Sequence, residues 1–120
     1  MSEFKDFLTI LQPSKVERAG IIQGFEFCYE LFWKVFQKIS ASEGLVTGSP
    51  KQAIKAAFAM GLIDDEILWL KMIEDRNLTV HTYNEALSIE IYQRARDFYA
   101  LEFAKSLTLL LKRSAKSPSG

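Results

Sequence analysis

The chain has 120 residues, 48% of them hydrophobic and 25% charged, and its 15 basic side chains are offset by 15 acidic ones. That length suits a single domain able to bury its own core, while the neutral balance excludes a general electrostatic grip on long nucleic acid. The one cysteine excludes an intramolecular disulfide and a cysteine-based zinc set, and neither a signal peptide nor a ~20-residue apolar membrane span is recognised, so a soluble cytoplasmic protein without membrane association is expected.

The pattern is helical almost throughout. The first ten residues allow a short extra helix. From Val16 to Ile39 one apolar seam runs Ile21, Phe25, Cys28, Phe32, Val35, Ile39, at alternating spacings of four and three, as one face of a helix requires. A second stripe, Ile22, Tyr29, Trp33, Phe36, lies beside it, so this helix is expected to be buried on two sides, centrally or at a subunit interface. Cys28 reads as an inert thiol among Phe27, Tyr29 and Leu31. Glu26 and Glu30, on one face, read as exposed or as paired with Lys34.

"SEGLVTGSP" (Ser42 to Pro50) breaks the helix with two glycines and a proline. Ser49 then reads as an N-cap, with Pro50 at the first helical position and Gln52 completing a capping box. The short helix "PKQAIKAAFAM" is closed by Gly61. Asp64 is the expected cap of "DEILWLKMIEDRNLTVH", whose acidic start suits the positive end of the helix dipole. Asn84 caps a last long helix to about Lys112, with an apolar seam at Leu87, Ile91, Phe98, Leu101, Leu107 and Leu111. No segment alternates with the period of a strand. The expected fold is all-α, an antiparallel up-and-down bundle of four to five helices. It forms one domain over residues 1–120, with a core over about 16–112 and a frayed tail at 113–120.

"EDRNLTVHTYNE" (Glu74 to Glu85) holds the only histidine, His81, with Arg76 before it and Tyr83 after it. Asn77 and His81, four apart, share a helical face, which reads backward as Ile63, Ile67, Leu70, Ile73; the neighbouring stripe reads Trp69, Met72, Arg76, Tyr83. Polar groups thus replace apolar ones at the same end of two adjacent stripes. A neutral imidazole can take a proton near neutral pH, and a guanidinium can clamp a phosphate and stabilise charge developing on it. An Asn amide can orient either partner. Together they suit attack of an RNA 2′-hydroxyl on its adjacent phosphate, without a metal or cofactor. That reaction uses both an acid and a base, and a symmetric dimer would bring a second His81. The same residues also fit a plain structural role, because His and Arg both stabilise a helix C-terminus. No His/Cys cluster suggests a metal, and Asp64-Asp65-Glu66 reads as a helix start.

Four blocks, "GFEFCYELFWKVF" (Gly24 to Phe36), "SPKQAIKAAFAMGLIDD" (Ser49 to Asp65), "WLKMIEDRNLTVHTYNE" (Trp69 to Glu85) and "EIYQRA" (Glu90 to Ala95), follow one another in this order. Together they resemble the small bacterial and archaeal nucleotidyltransferase substrate-binding proteins, a branch of the HEPN superfamily. The resemblance spans roughly residues 16–112. It implies an HEPN-like helical bundle, commonly a homodimer, encoded beside a minimal nucleotidyltransferase. The family signature is Arg, four residues, His, one residue, Tyr, and it falls on Arg76, His81 and Tyr83, with the frequent Asn at Asn77. In related toxin–antitoxin pairs the HEPN protein is a metal-independent RNA endonuclease, silenced when its partner transfers AMP to the signature tyrosine. By that resemblance Arg76 and His81 are the catalytic pair, Asn77 positions, Tyr83 accepts AMP, and RNA is the substrate. The family name carries an alternative, a non-catalytic subunit that binds substrate or nucleotide for the nucleotidyltransferase. A purely structural dimerisation module is a third reading.

Overall fold

The computed structural model describes residues 13–116, and within them the chain is an all-α bundle without strands. Helix α1 spans Pro13–Ser42, α2 Pro50–Ala59 and α3 Glu66–Leu78, the last continuing as a single 3-10 turn, Thr79–His81. Helix α4, Glu85–Arg94, passes through a π-helical segment, Ala95–Tyr99, directly into α5, Ala100–Lys116. The short helix expected in the first ten residues lies outside the described residues.

Local signals account for most boundaries. Gly44, at φ +82°, takes a left-handed turn that a side chain would disfavour as α1 ends, and Gln37 donates to the Thr47 carbonyl at 2.8 Å to fix the following loop. Ser49 caps α2 by accepting from the Gln52 amide, while Gln52 Oε1 accepts from the Gly48 amide at 2.6 Å, one residue earlier than in a standard capping box. Gly61, at φ +74°, closes α2 as the sequence suggests, and Leu62 donates back to the Ala57 carbonyl at 2.9 Å. The cap of α3 is Asp65, not Asp64: its carboxylate accepts from the Leu68 amide at 3.0 Å, leaving Asp64 to pair with Lys105 at 3.1 Å. Asn84 caps α4 as expected, accepting from the Leu87 amide.

Aromatic rings bridge the helices across the core. Phe25 lies 5.1 Å from Tyr99, Phe32 5.2 Å from Phe103 and Phe36 5.3 Å from Trp69, ring centre to ring centre, joining α1 to α3 and to the last long helix. Such pairs contribute about 0.5–1.5 kcal/mol each beyond the area they bury. Helix α1 is packed along both stripes, but the second is the deeper: Ile22, Tyr29 and Phe36 are buried, whereas Ile21, Cys28, Phe32 and Ile39 are half-buried against the same core. Burial also pushes the Cys28 thiol up, as suits an inert residue.

Two expected seams are displaced. In α3 the buried line is Trp69, Met72, Asp75, Thr79: it begins on the expected second stripe but passes through Asp75 instead of Arg76, while of the first stripe Ile63 is buried, Leu70 and Ile73 are half-buried and Ile67 is 81% exposed. In the last helix Phe98, Leu101, Leu107 and Leu111 face outward, and the core is met by Ile91, Ala95, Tyr99, Phe103 and Ser106. The π-helical segment is the reason. Its wider turn advances each residue by less than the α-helical angle, so the inward line keeps a spacing of four through Tyr99 and slides off the stripe that α-periodicity selects. Residues 113–116 continue the last helix, where Arg113 pairs with Glu43, and residues 117–120 of the expected frayed tail lie outside the described residues.

Two buried phenols make the fold sensitive to alkali. Burial pushes Tyr29 up to about 12, helped by the Glu30 charge, and burial with the Asp75 hydrogen bond pushes Tyr99 up as well. An unfolded tyrosine ionises near pH ~10. The stability these phenols contribute is therefore intact below that pH and is lost as pH rises toward the folded values, at ~1.4 kcal/mol per pH unit for each. Urea unfolding repeated along a pH series is expected to give a level midpoint below pH ~10 and a falling one above it. A midpoint that stays level to pH ~11.5 would show that the phenols are not held as described.

Candidate functional site

The polar end of α3 is built by a change of helix type. Thr79 Oγ1 donates to the Arg76 carbonyl at 2.7 Å and accepts from Arg76 Nη1 at 2.9 Å, so one buried hydroxyl both fixes the guanidinium and occupies a carbonyl at the helix end. The 3-10 turn Thr79–His81 follows, and the Asn84 amide donates to the His81 carbonyl at 2.9 Å as the chain turns into α4. Sequence periodicity places Asn77 and His81 one α-turn apart on a continuous helix. The helix stops at Leu78, so neither that alignment nor the one of Arg76 with Tyr83 is an α-helical one.

The four candidate residues fall into two sets. His81 and Tyr83 form one: Nδ1 lies 3.1 Å from the Tyr83 hydroxyl, with the rings edge to face at 5.7 Å, and both residues are exposed, Tyr83 by 83%. A tyrosine this open, with its hydroxyl against an imidazole, is accessible to a modifying enzyme, and the imidazole is accessible to a substrate. Arg76 and Asn77 form the other. They line an open cleft of about 380 Å³ with Tyr29, Glu30, Ile73 and Val80. Among the described residues no hydrogen bond joins the two sets.

Arg76 is also held from α1. Its Nη1 lies 3.7 Å from Glu26 Oε2 and its Nε 3.5 Å from Glu30 Oε1, with all three side chains about a third exposed at 31%, 34% and 40%. Glu30 additionally accepts from Trp33 Nε1 at 3.1 Å and lies 3.9 Å from Lys34. Pairing with Lys34 is thus present for Glu30, but both carboxylates serve Arg76, which the sequence reading does not anticipate. The i,i+4 spacing of Glu26 and Glu30 is the signal; what it lacks is the partner, fifty and forty-six residues away along the chain.

Asp75 is a second residue that the motif does not reveal. It is fully buried, receives Arg94 Nε at 2.7 Å and Nη2 at 2.8 Å in a two-pronged pair, and accepts from the Tyr99 hydroxyl at 2.5 Å. The carboxylate holds the Arg94 guanidinium more firmly protonated, pushing its pKa up. It ties the residue preceding Arg76 to α4 and the π-helical segment. The trace it leaves in the sequence is an acidic residue in the register of Trp69 and Met72.

Beside His81 and Tyr83, a groove of about 400 Å³ is lined by Lys15, Arg18, Gln23, Glu26, Thr82 and Ser88. Arg18 spans it, donating to Ser88 Oγ at 3.1 Å and pairing with Glu85 at 3.7 Å. No group of three or more His, Cys, Asp or Glu able to hold a metal is found among the described residues, and none of the described helices is long and apolar enough to cross a membrane.

These features define a helical-bundle protein with an Arg–Asn pair at a helix end and an exposed His–Tyr pair on the turn after it. The family described as "Nucleotidyltransferase substrate binding protein like" matches residues 2–112, and the chain belongs to that family. It is similar to a protein of Haemophilus influenzae named "Probable ribonuclease HepT", with 33% identity over 96 residues, covering 73% of this chain and 66% of that protein, just under two thirds of its length. Its fold is similar to a crystal structure of a Thermus thermophilus protein at a TM-score of 0.74 and 42% identity, covering 91% of this chain and 93% of the other.

Proposed function

We propose that this protein is the HEPN partner of a minimal nucleotidyltransferase and acts as a metal-independent RNA endonuclease of the toxin type, silenced by AMP transfer to Tyr83. The observation that carries the reading is the exposed His81–Tyr83 hydrogen bond at 3.1 Å on the turn that follows Arg76. The family and the name of the Haemophilus relative support it.

In this mechanism an RNA 2′-hydroxyl attacks the adjacent phosphorus as an imidazole removes its proton, and the 5′-oxygen leaves with a proton from a second group. The products are a 2′,3′-cyclic phosphate and a 5′-hydroxyl end. Arg76 holds the phosphate, and Asn77, on the same cleft, orients it. The chain has one histidine, so the acid and the base come from two copies in a homodimer. An apolar groove between α1 and the last long helix supports pairing of two copies. Gly20, Ile21, Gly24 and Cys28 on α1 line it with Ala95, Arg96 and Phe103, and Phe27, Leu31 and Leu101 are exposed on the same helices.

Adenylation of Tyr83 adds bulk and negative charge at the mouth of the site and blocks RNA by occupancy and repulsion. The alternative, a non-catalytic subunit that binds substrate or nucleotide for the nucleotidyltransferase, draws on the absence of a hydrogen bond between the Arg76 and His81 sets among the described residues of one chain. Incubating the protein with labelled RNA in EDTA separates the two. Cleavage leaving cyclic phosphate ends is expected, and it should stop once the nucleotidyltransferase and ATP have added AMP in an intact-mass measurement. Intact RNA with Tyr83 unmodified would favour the binding subunit. Tyr83→Phe should remain cleaving and gain no AMP.

A further inference from the structure

The groove beside the His81–Tyr83 turn is built of charged and polar groups that the cleavage chemistry does not use. We propose that it is a subsite for one nucleotide, in which Arg18 and Lys15 take a phosphate while Gln23, Thr82 and Ser88 meet the sugar and base. The inference deepens the ribonuclease reading and rests on it for a nucleotide as the ligand. Two sources offer that unit: the RNA strand next to the cut phosphodiester, and AMP carried by Tyr83.

Arg18 is already in place for a phosphate. Its side chain is only 15% exposed, and Nε is fixed on Ser88 Oγ at 3.1 Å. Nη2 lies 3.7 Å from Glu85, beyond a hydrogen bond, and the Glu85 side chain is 63% exposed, so that pair is solvated and weak. Neither terminal nitrogen makes a hydrogen bond to the described residues, and neither is sealed from solvent. Only one N–H donor of the guanidinium is thus taken, on a side chain that needs little further ordering to bind. Lys15, one turn earlier on α1, is exposed and lines the same groove. With every charge paired to these groups included, Lys15, Arg18, Arg76 and Lys34 stand against Glu26, Glu30 and Glu85, which leaves one positive charge.

The groove also borders both sets of signature residues. Thr82, between His81 and Tyr83, lines it, and so does Glu26, whose carboxylate lies 3.7 Å from Arg76 Nη1. A ligand seated there lies between two sets that no hydrogen bond joins among the described residues. At about 400 Å³ the groove is near the lower end of small-ligand sites, ~300–1,000 Å³, which suits one nucleotide rather than a length of strand.

The test titrates a tetranucleotide methylated at every 2′-oxygen, which cannot be cleaved, into the parent protein, Arg18→Gln and Lys15→Gln. NMR follows the backbone and side-chain signals, and circular dichroism verifies the fold. Lys15 is exposed, so its variant keeps the test decisive should Arg18→Gln unfold. Gln23 and Ser88 of the parent should shift on binding. Kd should rise about tenfold in Arg18→Gln, which loses charge-assisted hydrogen bonds, and about threefold in Lys15→Gln, which loses a solvated charge. A second arm records the parent and Arg18→Gln after the nucleotidyltransferase and ATP have added AMP to Tyr83, with no other ligand. Shifts at Gln23 and Ser88 that appear there and vanish in Arg18→Gln identify AMP as the occupant. Shifts with the tetranucleotide alone identify RNA, and shifts in both arms mean that adenylation silences by filling the subsite. Shifts in neither arm overturn the proposal, as does a tetranucleotide Kd unchanged within about twofold in both variants. Cleavage of unmethylated RNA by the same preparations separates the failures. Cleavage by a parent that shows neither set of shifts defeats the subsite alone, and shifts without cleavage defeat the nuclease reading alone.

Discussion

Replacing His81 with alanine is expected to lower RNA cleavage by about 10²- to 10⁴-fold, the range over which a positioned acid or base contributes, without moving the unfolding midpoint. The second half of that expectation is what makes the first informative. His81 is exposed on a 3-10 turn, and its one side-chain hydrogen bond is to an exposed tyrosine, so its removal opens no cavity and strands no buried group; such surface changes stay within about 0.5 kcal/mol. A histidine placed to stabilise the end of α3 would behave in the opposite way, costing stability with no effect on RNA. If the acid and base come from two copies, dimers mixed from parent and His81→Ala chains should also lose cleavage. Mixing with excess variant would then depress the rate below the fraction of parent chains added, whereas a rate proportional to that fraction would place both roles within one chain.

The bundle was legible because its signals are local. Ser49 with Pro50, Gly61 and Asn84 punctuate the chain with residues whose backbone preferences act over three or four positions, and each does what its type implies. The seam of the last helix failed for a reason that α-periodicity does not carry. A π-helical turn at Ala95–Tyr99 shifts its register, and the residues at its two ends, Arg94 and Tyr99, both bond Asp75 on another helix; periodicity read along one helix carries no trace of that contact. The same holds at the candidate site. Arg76, Asn77, His81 and Tyr83 stand out as polar residues at the end of two apolar stripes, yet the groups that condition Arg76 come from α1, where Glu26 and Glu30 look like ordinary surface charges. Asp75 lies three residues beyond Met72, but the sequence reading continues that stripe through Arg76 and gives Asp75 no role. Only the fold supplies the arginine and tyrosine that make an interior carboxylate tolerable.

Asp75 is accordingly where a single substitution should cost the fold most. Asp75→Ala leaves the Arg94 guanidinium and the Tyr99 hydroxyl without their acceptor in a buried setting, and breaking such a pair from one side costs roughly 3–5 kcal/mol. Urea denaturation reads this as a lower midpoint; a loss below about 1 kcal/mol would mean that water or another group replaces the carboxylate. Arg94 is 26% exposed on its side chain, so part of its charge can be rehydrated, and Asp75→Ala/Arg94→Met should recover some of the loss that Asp75→Ala alone incurs. Asn at this position keeps the size of the side chain but offers one acceptor where three donors converge, so Asp75→Asn should fall between the parent and alanine. The consequence reaches the site through one peptide bond. Arg76 follows Asp75 directly, and its orientation depends on where α3 ends and where the 3-10 turn begins. Loosening the anchor should therefore weaken diester binding even at temperatures where Asp75→Ala is still folded. A variant that is destabilised yet binds the diester as the parent does would show that Thr79, Glu26 and Glu30 are sufficient to hold the guanidinium in place.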